Sequence, residues 1–310
     1  MTKYPDREWR FSQEDWLKAS RLTAGGVTFL LTLSASQFLQ GRLLGISAAS
    51  RAATFAGMLS VSTGSMLASL AADEAPATLS VALGWVPEKD RRRKGSVIDK
   101  RGSISSSTFS LLGYDAGKKE ERLLGAARTA LVGMLLFKGL GGRFSGVAPS
   151  NVAQPGAFFN VRGTLPAGLE YASPKQKRRL DMFGWVYGCH TCGRRQMGDY
   201  VGDHMPPRKV AVEMSRRWWR RLLGIRVKQR FTPQCRPCSS IQSAAVRSDR
   251  RILVYHYLSL RRYHATGAVL EVVSLLPGQG MLDGLIHQNV EQVSAWWRRK
   301  GRAEGDWQRR

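Results

Sequence analysis

Acidic side chains are scarce in this chain, and cysteines scarcer still. Across 310 residues, 23 Asp and Glu face 48 Lys and Arg, giving a net charge of +25 and a pI near 10.8. That imbalance favours polyanionic partners such as nucleic acid, anionic lipid or a ribosome-like particle, without choosing among them. It is uneven: residues 143–310 hold 29 basic and 11 acidic residues, against 19 and 12 in residues 1–142. The four cysteines all lie between positions 189 and 238. None is left over, which argues against a dispersed disulfide framework and for reduced thiols in cytosol, nucleus or organelle matrix. The N-terminus lacks the basic start of a cleaved signal and the acid-poor composition of a transit peptide, since Asp6, Glu8, Glu14 and Asp15 fall within its first 21 residues. There is no asparagine between Asn160 and Asn289, and no internal repeat or sorting address.

Long uncharged runs are present twice. Residues 22–41 lie between Arg21 and Arg42, and residues 52–72 between Arg51 and Asp73. As helices, both are long enough to cross a hydrocarbon core of about 30 Å. The second carries small residues at every fourth position (Ala52, Ala56, Ser60, Gly64, Ala68 and Ala72), a stripe that lets another helix approach closely. Residues 123–142 are apolar but interrupted by Arg128 and Lys138, which suits an amphipathic helix or a third membrane helix. The expected order is a polar tail (1–21), two membrane helices (22–72), a polar and disordered connector (73–122), the third helix (123–142), a Gly/Pro/Ala-rich linker (143–174), a zinc-binding domain (175–265) and a basic extension (266–310). The connector holds a charge run at 88–94 and a serine-rich stretch at 103–110. The extension holds the pair Trp296-Trp297, which with Trp218-Trp219 suits bases or a lipid interface equally.

Chemistry concentrates in the third quarter of the chain. Cys189-x-x-Cys192 and Cys235-x-x-Cys238 can supply the four ligands of a tetrahedral, structural zinc, and Asp203-His204-Met-Pro-Pro lies between them. Residues 182–187 read as a short strand leading into the first pair, residues 200–204 as a second strand end, and residues 241–248 as a helix capped by Ser239 or Ser240. Residues 252–263 form an apolar element of either type, flanked by His256 and His264.

These residues resemble the HNH endonucleases, whose pattern is C-x-x-C, then Asp-His followed by an apolar-Pro stretch, then C-x-x-C opening a helix. The resemblance spans about 60 residues and implies an α+β zinc-bound treble-clef (HNH-like) domain, here preceded by α-helical membrane segments. It gives His204 the role of general base and Asp203 that of ligand to a catalytic Mg²⁺ or Mn²⁺. Arg194, Arg195, Arg208 and Lys209 would clamp phosphates, with Arg216 and Arg217 extending the nucleic-acid surface. The chain departs from the family pattern in lacking the orienting asparagine, for which Gln234 or Gln242 can stand in. It also lacks the second metal ligand after the last cysteine, where Ser239 stands. Two functions follow: a membrane-anchored module that binds and cleaves nucleic acid, or a catalytically degenerate, zinc-stabilised membrane scaffold contacting anionic lipid or a ribonucleoprotein. In both, the C-terminal domain lies on a reducing side of the membrane.

Overall fold

A capping box starts the first helix. Ser12 Oγ accepts the Asp15 backbone N–H, and the Asp15 carboxylate accepts that of Ser12, so two of the free N–H groups at the helix start are satisfied. In a computed structural model that describes residues 11–85 and 116–275, apart from residues 169, 197, 199, 226 and 258, this helix α1 runs Gln13–Arg42. Helix α2 (Ala53–Ala82) returns alongside it. Both are long and apolar enough to cross a membrane. One ion pair, Arg21 Nη2 to Asp73 Oδ1 at 2.7 Å, joins the far ends of the two uncharged runs. The outward faces are apolar: Leu31 is 65% exposed and Phe55 67%, with Phe38, Leu59 and Leu67 also exposed. Exposed apolar faces of this kind mark a lipid or protein contact.

Small residues hold the bundle together. On α2, Gly57, Ser60, Gly64, Ser65, Ala68 and Ala72 are buried, which includes the last four positions of the stripe noted above. A Cβ on Gly64 would stand 3.2 Å from the Phe29 ring of α1. Gln40 donates from Nε2 to Ser36 Oγ and to Ser60 Oγ, both at 3.0 Å, a polar bond between helices of the kind that apolar surroundings favour. Helix α3 (Ala116–Gly139) places Gly133 directly against Ser65, while Phe144 just beyond it meets Gly57. Later residues of one meet earlier residues of the other, so α3 runs antiparallel along α2 and does not lie across it. The connector is shorter than expected: α2 continues to Ala82 and α3 begins at Ala116. The 88–94 charge run, the 103–110 serine stretch and Trp296-Trp297 lie outside the described residues.

The remainder is helix-rich with two small sheets. Strand β1 (Ser150–Asn151) pairs antiparallel with β5 (Leu253–Val254). Strand β4 (Arg230–Cys235) is central in the second sheet, between β2 (Leu165–Pro166) and β3 (Tyr200–Met205), both antiparallel to it. Two sequence expectations are corrected here. Residues 182–187 are not a strand but the end of helix α4 (Pro174–Tyr187), because Ser173 and Gln176 form a capping box and Pro174 opens the first turn. Residues 143–174 are not a free linker: Val147, Ala148, Ser150 and Val152 are buried, and the stretch contributes two strands too short to show a period.

The bundle and the sheets are welded, so the expected boundary between membrane hairpin and zinc domain is no structural seam. Residues up to Leu270 group into one unit. Gln37 of α1 donates to the Val147 carbonyl (2.9 Å) and to His256 Nδ1 (3.1 Å), and accepts the His256 backbone N–H (2.9 Å). Ala48 N–H bonds the Pro149 carbonyl at 2.9 Å, and Arg251 donates to the Gly45 carbonyl at 2.6 Å. Helix α8 (Thr266–Ser274) opens the segment expected as a basic extension.

Candidate metal centre

Two chain reversals bring the cysteines together. The first follows α4, where Gly188 (φ +86°) and Gly193 (φ +78°) bracket Cys189 and Cys192 in backbone conformations that side chains disfavour. Gly193 N–H bonds the Cys189 carbonyl at 2.8 Å, and Cys189 N–H bonds the Arg194 carbonyl at 2.9 Å. The second is the turn from β4 into helix α7 (Arg236–Arg247), with Cys235 at its N-cap and Cys238 in its first turn. The helix therefore begins earlier than expected, and Cys235, not Ser239 or Ser240, is the residue at its start. A bond of 3.1 Å from His190 N–H to the Pro233 carbonyl ties the two turns together.

None of the four thiols is in a disulfide, and their sulfurs lie within 4.8 Å of one another. Cys192 and Cys235 sulfurs are 3.7 Å apart, close to the edge of about 3.8 Å that a tetrahedron with Zn–S bonds of about 2.3 Å requires. Hydrogen bonding from Cys189 lowers the Cys192 thiol to about 7. The positive end of α7 points at Cys235 and favours its thiolate form, while hydrogen bonding with the other three sulfurs raises the Cys238 thiol. The site fits a structural zinc. Among the described residues it is the one cluster of three or more His, Cys, Asp or Glu ligand atoms at metal-binding distance.

A buried chain of side chains links this centre to Asp203. Gln234 Nε2 donates to Thr191 Oγ1 (3.1 Å) and to Gln242 Oε1 (2.9 Å). Gln242 Nε2 in turn donates to Asp203 Oδ2. Thr191, Gln234 and Gln242 are all buried. Burial raises the Asp203 carboxyl to about 6, against the lowering effect of its bond from Gln242. The two glutamines singled out from sequence thus serve Asp203. Neither bonds His204, whose Nε2–H instead donates to the Gly168 carbonyl at 3.2 Å while its ring meets Phe231 edge-on at 4.7 Å. Alternation along β3 explains the split. Gly202 and His204 face the Leu180, Ala172 and Phe231 cluster under α4, and Asp203 faces α7.

The neighbouring histidines and basic residues are dispersed. His190 is buried and held near 3 by desolvation, outside the cysteine cluster. His256 is held near 4 by burial and bonds Gln37 and Ala148, so it does not reach the metal centre. Arg194 and Arg195 follow the first turn, exposed. Arg208 and Lys209 open helix α5 (Arg208–Arg216), and Arg217 separates it from helix α6 (Trp218–Leu222). These two helices lie in the connection from β3 to β4, and Lys209 Nζ reaches the Val246 carbonyl at 3.1 Å. Trp218 is 76% exposed. Thr191 was missed in the sequence; a small polar residue between two thiol ligands was the signal for it. Arg261, distant in sequence, reaches the first cysteine turn through the Gly193 carbonyl.

Comparison with known proteins finds no matching family model, no matching curated protein and no matching solved structure.

Proposed function

We propose that this chain is a membrane-anchored, zinc-stabilised scaffold: α1 and α2 hold it in a bilayer, an HNH-like treble clef is kept rigid by the four-cysteine centre, and its basic surface engages a polyanion. Asp203 and His204 are then structural groups. The observation that carries this reading is the buried chain Thr191–Gln234–Gln242–Asp203. It satisfies the carboxylate with an amide and joins the first cysteine turn, β4 and α7 into one block. A buried carboxylate already paired in this way is poorly placed to recruit Mg²⁺ or Mn²⁺, and among the described residues it belongs to no cluster of three or more His, Cys, Asp or Glu ligand atoms. Nucleic acid is the polyanion assigned to the exposed Arg208, Lys209, Arg216 and Arg217 on α5 and at the start of α6, with Trp218 available for stacking.

The hydrolytic alternative has one point in its favour. Strands β3 and β4 and helix α7 come in the order its motif demands, with Asp203-His204 on the first strand and α5 and α6 inserted between the strands. Cleavage by the zinc-loaded, full-length protein in detergent decides between the two readings, with Mg²⁺ or Mn²⁺ titrated and His204→Ala and Asp203→Asn run in parallel. The scaffold reading expects salt-sensitive binding of DNA or RNA and no metal-dependent cleavage. Cleavage that disappears in His204→Ala would overturn it in favour of phosphodiester hydrolysis.

A further inference from the structure

A cavity of about 580 Å³ opens where the end of α3 meets the loops that support the metal centre. Four arginines line it: Arg143, Arg195, Arg261 and Arg262. Among the described residues none of the four has an ion-pair partner. Two are held by main chain. Arg143 donates to the Phe159 and Ala157 carbonyls at 2.5 and 2.6 Å. Arg261 donates to the Gly193 carbonyl at 2.5 Å and lies 4.9 Å over the Phe158 ring. A guanidinium has five N–H donors, so both keep donors to spare. Arg195 and Arg262 are exposed. Burial, and secondarily the Arg195 charge, pull Arg261 below the usual arginine range. Four arginines on one cavity, with no carboxylate among its described lining residues, make a site suited to an anion.

The position and shape of the cavity select the anion. A volume of this size suits a small ligand and is too confined for a polynucleotide, which needs an open groove. Leu140 and Gly141, at the end of α3, form one wall, and Leu260 adds further apolar lining. The preceding turns of α3 expose Leu131 and Leu135. Cationic lining therefore sits where a helix with exposed leucines ends, as a headgroup with its chains attached would require. Basic pockets beside membrane helices are suited to anionic phospholipid headgroups.

We infer that this cavity binds the phosphate of an anionic phospholipid, Arg143 and Arg261 forming a fixed floor and Arg195 and Arg262 closing over it. The inference rests on the membrane anchoring proposed above. The test uses the full-length, zinc-loaded protein in detergent, titrated separately with short-chain phosphatidic acid, short-chain phosphatidylcholine and inorganic phosphate. Phosphatidic acid is expected to bind in preference to phosphatidylcholine. Arg195→Gln/Arg262→Gln should weaken it about 30-fold, from about 1 kcal/mol per charge at a lipid surface. Arg178→Gln/Arg179→Gln removes the same charge from the exposed face of α4 and should change it less than about threefold by general electrostatics alone. Equal losses in the two double variants, no loss in the first, or inorganic phosphate binding as tightly as the lipid would each overturn the site. Unchanged zinc content in each variant confirms folding. Release of the wild-type chain from membranes at alkaline pH would sink the anchoring reading by itself. Retention in the membrane with unaltered lipid binding by the first double variant would sink the cavity alone.

Discussion

Asp203 and His204 project from opposite faces of β3: the carboxylate accepts from Gln242 on α7, and the imidazole donates to the Gly168 carbonyl against the Phe231 ring. Neighbours in sequence, they belong to different layers of the fold. One is bonded into the polar chain that runs to Thr191, the other packed into the apolar cluster under α4.

Removing the amide partner should cost more than removing the charge. Gln242→Leu strips a buried carboxylate of its side-chain donor, leaving its bond from the His204 backbone, and is expected to lower stability by about 1–3 kcal/mol. Asp203→Asn keeps a group that can bond the Gln242 amide, and its effect should be smaller. Denaturant unfolding of the zinc-loaded protein compares them; equal losses would mean that the contact between Gln242 and Asp203 contributes little.

The pH dependence of Asp203 has a defined sign. Its folded value, raised to about 6, exceeds the unfolded 3.8, so the folded state holds the proton more tightly. The cost of the buried charge is absent below about pH 4 and fully present above about pH 6. Wild type minus Asp203→Asn stability should therefore decline from pH 4 to 6. His256, held near 4 against the usual 6.5, works the other way, and its contribution is lost as pH falls through that window. Taking the difference against the Asp203 variant cancels it, together with acid loss of metal. A flat difference curve would show that the carboxyl is not perturbed.

Zinc should be required for the fold around the sheet. Metal analysis is expected to find one zinc per chain, lost in Cys189→Ser or Cys238→Ser. Chelation should unfold the β3–β4–α7 region, because binding free energy at such sites is folding free energy. Retained near-ultraviolet dichroism after complete chelation would contradict this.

Gln37→Leu tests the weld between bundle and sheets. The change strands the His256 N–H and the Val147 carbonyl, and a loss of about 1–3 kcal/mol is expected. Its signature is faster hydrogen exchange at His256 without loss of zinc.

Gly133→Val tests the α2–α3 contact. A Cβ there runs into Ser65, so the helices must separate, and overpacking of this kind costs about 1–3 kcal/mol. Gly139→Ala, where a Cβ meets nothing within 4 Å, is the control that should remain neutral.

The sequence by itself determined what depends on local spacing. Uncharged runs between Arg21 and Arg42 and between Arg51 and Asp73 became helices of spanning length, and two C-x-x-C turns became one four-thiol cluster, because run length and ligand spacing are properties of a short stretch. Capping is local too: at Ser173, Pro174 and Gln176 mark a helix start, although the aromatic residues at 183–187 give its end the look of a strand. Tertiary structure decided the rest. Asp203 and His204 part company because strand pairing sends consecutive side chains to opposite faces and each face meets a different helix. Gln37 becomes a clamp on His256 through contacts 219 residues apart. Four arginines scattered from position 143 to 262 share one cavity because the end of α3 and the loops around the metal centre converge there. Long-range packing, with no period or spacing to announce it, placed them together.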